Sequence, residues 1–114
     1  MSSDEVVELV IMLEDEVNNG GFHQFFNNSS GDNSAEVITA LETIGALKMA
    51  DITRRAVARF PENKVPKDRD KRMDLLWEHF PTTHEFDALN TEFFAYPDDL
   101  SALLEKYRNR LDNN

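Results

Sequence analysis

Val6, Leu9, Val10, Leu13 and Val17 recur at helical spacing until Asn18-Asn19-Gly20-Gly21 interrupts them. This feature constrains the chain most, because side chains at i, i+3, i+4 and i+7 share one face of an α-helix and must be buried against something. Ser2 and Glu5 stand at capping-box spacing and open that helix. At 100° per residue, Asp4, Glu5, Glu8, Asp15 and Glu16 fall on the side away from the apolar stripe, within an arc of about 120°. Ile11 and Met12 project on or beside the acidic side. A helix partner, or the mate of a homodimer, would cover them.

The rest of the chain keeps the same period. Phe22, Phe25 and Phe26, set between glycines and asparagines, read as a short buried turn of helix ending in a loop. Asn33 and Glu36 repeat the capping-box spacing ahead of a second main helix, with Val37, Ile38, Leu41 and Ile44 inward and Gly45 at its end or at a close helix crossing. A third helix runs from about Met49, with Met49, Ile52, Ala56 and Phe60 on one side and Arg54, Arg55 and Arg59 on the rest; Pro61 ends it. Residues 61–70 have two prolines and no apolar period, so they read as a solvated loop. Met73, Leu76, Trp77 and Phe80 mark a fourth helix, and Phe86, Leu89, Phe93 and Phe94 a fifth. Pro97, Asp98 and Asp99 open a sixth, whose buried stripe is Leu100, Leu103, Leu104, Tyr107 and Leu111. No alternating strand pattern of useful length occurs. The expected fold is all-α, a single compact domain of about six helices over residues 1–114, the size of one domain at roughly 100 to 200 residues each.

Hydrophobic residues at 40% are too many for a disordered tail, and no apolar run approaches the ~20 residues of a membrane span. No membrane association is expected. The chain has no cysteine, hence no disulfide and no thiol nucleophile. Its N-terminus opens with acids where a signal peptide needs a basic and then an apolar stretch, so a cytoplasmic location is expected. The net charge of −10 is segregated: residues 1–47 and 73–105 contain no Lys or Arg, and residues 48–72 hold nine bases. Direct nucleic-acid binding is disfavoured, since phosphates must be neutralised by an excess of Lys and Arg. The basic run Lys64 to Arg72 is the one local exception.

The segment Glu16-Val17-Asn18-Asn19-Gly20-Gly21-Phe22-His23-Gln24-Phe25-Phe26-Asn27-Asn28-Ser29-Ser30-Gly31 can be read physically. Paired glycines permit positive φ and close backbone approach, the phenylalanines supply core contacts, and amide side chains satisfy turn backbone groups. A structural role is therefore expected for Asn19, Gly20, Gly21, Phe22, Gln24, Phe25, Phe26 and Gly45. Together with Ala40-Leu41-Glu42-Thr43-Ile44-Gly45-Ala46 and Ala58-Arg59-Phe60-Pro61, this segment resembles the DNA-mimic protein 19-like family, a small bacterial family. The resemblance covers roughly residues 5–110 and identifies a fold better than an activity. Before the aromatic pair of the fifth helix the family pattern has Leu-Asp, whereas this chain has Leu89-Asn90.

The resemblance and the base-free acidic stretches imply a protein-interaction module: a DNA mimic, with carboxylates standing where phosphates would stand against a basic DNA-binding protein. On a helix, i and i+4 side chains are about 6 Å apart along the axis, compatible with phosphates rising ~3.4 Å per strand step while winding around theirs. One candidate strip is Asp4, Glu5, Glu8, Asp15 and Glu16; a second is Asp74, Glu78, Glu85, Asp87, Glu92, Asp98 and Asp99. Ordinary solvated helix faces are the competing explanation for both strips. The rival function is an immunity or antitoxin-like protein that blocks a basic toxin, steered by the same charge. A small enzyme is less favoured: His23, His79 and His84 match no helix-borne ligand pair for a metal, and no phosphate loop, dinucleotide glycine pattern or nucleophile elbow is present. No catalytic residue, metal or cofactor is expected.

Overall fold

A computed structural model describes residues 1–112. Six α-helices follow one another: α1 Ser3–Asn27, α2 Ser34–Thr43, α3 Leu47–Val57, α4 Arg69–His79, α5 Asp87–Phe94 and α6 Leu100–Asp112. Single 3₁₀ turns at Ser29–Asn33 and Pro61–Asn63 link α1 to α2 and follow α3. The described residues contain no strand, so the fold is all-α.

The apolar period of α1 does what its spacing requires. Val6, Val10, Leu13 and Val17 are buried, and the Ser2 hydroxyl accepts the Glu5 amide at 3.2 Å. The helix bends at Gly20 and Gly21, where the backbone leaves helical angles and Gly21 takes φ of +74°. A Cβ at Gly21 would lie 2.4 Å from the Asn90 amide nitrogen, so both the conformation and the space demand glycine. The bend turns the last stretch of α1 inward, burying Phe22, Phe25 and Phe26 completely. Around them Phe26 meets Phe60 at 4.8 Å, Phe80 meets Phe86 at 4.9 Å and Phe22 meets Phe93 edge-on at 5.8 Å. Edge and tilted pairs of this kind each add about 0.5 to 1.5 kcal/mol beyond burial.

Asn90 anchors the bend: its Oδ1 accepts the Phe22 N–H at 2.9 Å in a buried contact 68 residues apart in sequence. Helix α2 ends in a Schellman turn, with the Gly45 amide on Glu42 and the Ala46 amide on Leu41. Gly45 has φ of +87° and open space where a Cβ would stand, so it terminates the helix and no helix crosses there.

Several expectations are corrected. The capping box at Asn33 does not form, because the preceding 3₁₀ turn leaves Asn33 at φ −107°, ψ 27° and Glu36 pairs with Lys67 instead. Helix α3 starts at Leu47 and ends at Val57, and Pro97, Asp98 and Asp99 precede α6. Trp77, Phe94 and Leu111 belong to no core stripe: they are 45%, 49% and 41% exposed. Met12 is half-buried against the core, leaving Ile11 as the exposed apolar residue on this face of α1. The basic run is not a free patch either. Arg72 is wholly buried, and its five N–H groups meet the carbonyls of Phe26, Asn28, Pro66 and Lys67 and the Asp32 carboxylate.

Candidate functional site

The twelve acids singled out from sequence fall into three groups. Asp4, Glu5, Glu8 and Asp15 are exposed along α1, and Asp74 and Glu78 are exposed on α4. None of these six makes an ion pair among the described residues; Glu5 accepts only the Ser2 hydroxyl. Asp4 and Glu8, with Ile11, line one side of a shallow groove whose other side is Arg108 and Leu111 of α6.

The second group is engaged with the protein itself. Glu92 takes a two-pronged bond from Arg55 at 2.7 and 2.8 Å, Asp98 accepts the Met49 amide at 2.8 Å, and Asp99 accepts the Ala102 amide in the first turn of α6. Asp87 lies 3.1 Å from the His84 ring, whereas Glu85 takes part only through its backbone carbonyl, which accepts Arg59 and leaves its carboxylate unpaired among the described residues. Part of the second strip is thereby engaged: Glu92 ties α5 to α3, Asp98 ties the segment before α6 to α3, and Asp99 caps its own helix. Bonding to Arg55 holds the Glu92 carboxyl below its ordinary value, and the same bond raises Arg55.

Glu16 forms the third group alone. It is half-buried, and one carboxylate oxygen accepts both Gln24 Nε2 at 2.8 Å and Asn28 Nδ2 at 3.1 Å. Gln24 in turn accepts Asn19 Nδ2 at 3.2 Å. A parallel relay begins at Glu14, which accepts the Tyr96 hydroxyl at 2.6 Å, while that hydroxyl accepts Asn18 Nδ2 at 2.7 Å. Partial desolvation keeps the Tyr96 hydroxyl above its ordinary pKa, so it remains the donor to Glu14 near neutrality.

The amide ends of these relays line an open cleft of about 750 Å³ at the bend of α1, walled by Asn18, Asn19, Gln24, Asn28, Asn90 and the exposed rings of Trp77 and Phe94. His23 lies at its base, buried, with Nε2 3.1 Å from the Phe80 carbonyl and its ring 4.7 Å from Trp77. The Trp77 indole donates to Asn27 Oδ1 at 3.0 Å. Sequence reading missed this cleft; its signal was the density of amides at 18, 19, 24, 27 and 28, while Trp77, Asn90 and Tyr96, which complete the cleft and its relays, lie about 50 or more residues away.

The ion pairs explain how charge is laid out. Those of Lys and Arg all use bases of the central segment: Arg54 with Glu42 and Asp51, Arg55 with Asp51 and Glu92, Lys67 with Glu36, and Arg72 with Asp32. The α1 carboxylates make no ion pair among the described residues, and Arg108 is the cation that shares a groove with Asp4 and Glu8. No group of three or more His, Cys, Asp or Glu side chains placed to hold a metal occurs there, and no helix is long and apolar enough to cross a membrane. No curated protein and no solved structure matches the chain. The family model described as DMP19-like protein matches residues 3–114, and the chain belongs to that family.

Proposed function

We propose that the chain is a non-catalytic acidic binding module that occupies the nucleic-acid-binding surface of a basic DNA-binding protein. The observation that carries this reading is the face of α1. Asp4, Glu5, Glu8 and Asp15 stand exposed and without ion pairs among the described residues, whereas the four central bases that form ion pairs, Arg54, Arg55, Lys67 and Arg72, use other acids. From Asp4 to Asp15 the helix rises about 16 Å, enough to oppose several consecutive phosphate-binding side chains. Family membership supports the reading without naming a partner. An uncovered row of like charge destabilises a helix slightly at each i, i+4 pair, and binding to cations would relieve that cost.

The test is displacement. The DNA-binding protein recovered on the immobilised chain from its own host should be released by duplex DNA, because both ligands compete for one basic surface. A partner that stays bound under saturating DNA would overturn the mimic and favour a toxin-blocking protein instead.

A further inference from the structure

The cleft at the α1 bend has a polarity that its hydrogen bonds fix. A carboxylate can only accept, so Glu16 orients Gln24 and Asn28 with their NH₂ groups toward it. Gln24 must then accept from Asn19, and the Asn19 and Asn28 carbonyl oxygens are left without partners among the described residues. The Glu14 relay does the same through Tyr96 and leaves the Asn18 oxygen over. Three amide carbonyls thus terminate relays that begin on half-buried carboxylates, which makes them strong acceptors backed by negative charge. The amide groups wholly left over as donors are Asn27 Nδ2, set by the Trp77 indole, and Asn90 Nδ2 beside Gly21, and Asp87 adds a carboxylate to the lining beside His84. No Lys or Arg among the described residues lines the cleft, and Trp77 and Phe94 offer exposed ring surface in the same opening.

Acceptors, negative charge and aromatic faces suit a flat cation rich in donors. A guanidinium supplies five N–H donors in a plane and stacks on aromatic rings, which a compact ammonium does less well. We propose that this cleft is a subsite for an arginine side chain presented by the partner protein, stacked on Trp77 or Phe94 and hydrogen-bonded to the Asn18, Asn19 and Asn28 carbonyls. The choice of a protein-borne arginine rests on the proposed function, whereas the preference for a guanidinium rests on the cleft alone.

Trp77 is the only tryptophan, so its fluorescence reports on the cleft directly. The intact protein is titrated to millimolar concentrations with acetyl-Gly-Arg-Gly-amide and with the lysine and citrulline versions of that peptide. The arginine peptide should change the emission saturably, lysine should bind about tenfold more weakly, and neutral citrulline should have little effect. Glu16→Gln keeps an oxygen for both amides but removes the charge, and should weaken the arginine peptide at least about fivefold with an unchanged melting temperature. Asp4→Asn with Glu8→Gln alters charge about 16 Å or more along the helix from Asn19 and should leave peptide affinity within about twofold. No saturable change with the arginine peptide, an equal response to citrulline or lysine, or equal losses from both variants would overturn the subsite. The α1 face is tested separately: loss of partner binding in the Asp4 and Glu8 variant with peptide binding intact supports both assignments, and peptide binding alone, with DNA unable to displace the partner, removes the mimic and keeps the cleft.

Discussion

Arg72 shows how one side chain decides local architecture. With all five N–H groups satisfied and no exposed surface, it clasps the end of α1, the following 3₁₀ turn and the loop before α4. Arg72→Ala strands these buried acceptors and should cost about 3 to 5 kcal/mol, read as a lowered denaturant midpoint. Arg72→Lys should recover little, since an ammonium cannot reach acceptors on several sides at once. Asn90 is the second such residue. Only its oxygen is needed to accept the Phe22 amide, so Asn90→Asp should stay within about 1 kcal/mol while Asn90→Ala loses about 1 to 3 kcal/mol. Neither role is visible in the linear chain. Arg72 reads as one more base in a charged run, and Asn90 as one more polar residue on an amphipathic helix, because both partners are distant in sequence. Gly21 is different: a glycine pair interrupting a strong helical period announces a bend, and Gly21→Ala should destabilise by about 1 to 3 kcal/mol at its positive φ.

Helices are the elements the apolar period reveals best, and their existence and order follow from it almost wholly. The misses occur where polar contacts override the period. Trp77 fits the stripe of α4 by spacing, yet its indole is drawn to Asn27 at the cleft, and Leu111 lies beyond the last turn of α6 that touches the core. Within the second acidic strip, Glu92 and Asp98 join elements and Asp99 caps α6, which charge counting cannot detect. The Arg55–Glu92 pair between α3 and α5 carries a pH signature. Glu92 has its pKa depressed in the folded protein, so its stabilising contribution is present above its ordinary value of 4.5 and is lost as pH falls from there through the folded value. Glu92→Gln should therefore slightly lower stability above about pH 4.5 and converge with the native protein as pH falls below it, giving a flatter acid limb in thermal melts across several buffers.

At the scale of the whole molecule, extents of 48 × 28 × 23 Å make an elongated body, and α1 runs through it as the longest helix. The segregation of charge in sequence survives folding in altered form. Four bases of the centre, Arg54, Arg55, Lys67 and Arg72, pair with acids of α2, α3, α5 and the 3₁₀ turn, and Asp4, Glu5, Glu8 and Asp15 of α1 stay exposed. A surface of one sign raises the encounter rate with an oppositely charged partner and makes the complex sensitive to salt. The direct measurement is the affinity of the chain for its recovered DNA-binding partner across ionic strength, for the native protein and for the variant Asp4→Asn, Glu5→Gln, Glu8→Gln, Asp15→Asn. Native affinity should fall at least about tenfold between about 50 and 200 mM salt, and the variant should bind more weakly with most of that dependence gone and its melting temperature kept. Native binding indifferent to salt, or a variant with the same affinity and the same salt slope, would contradict a binding role for the α1 face.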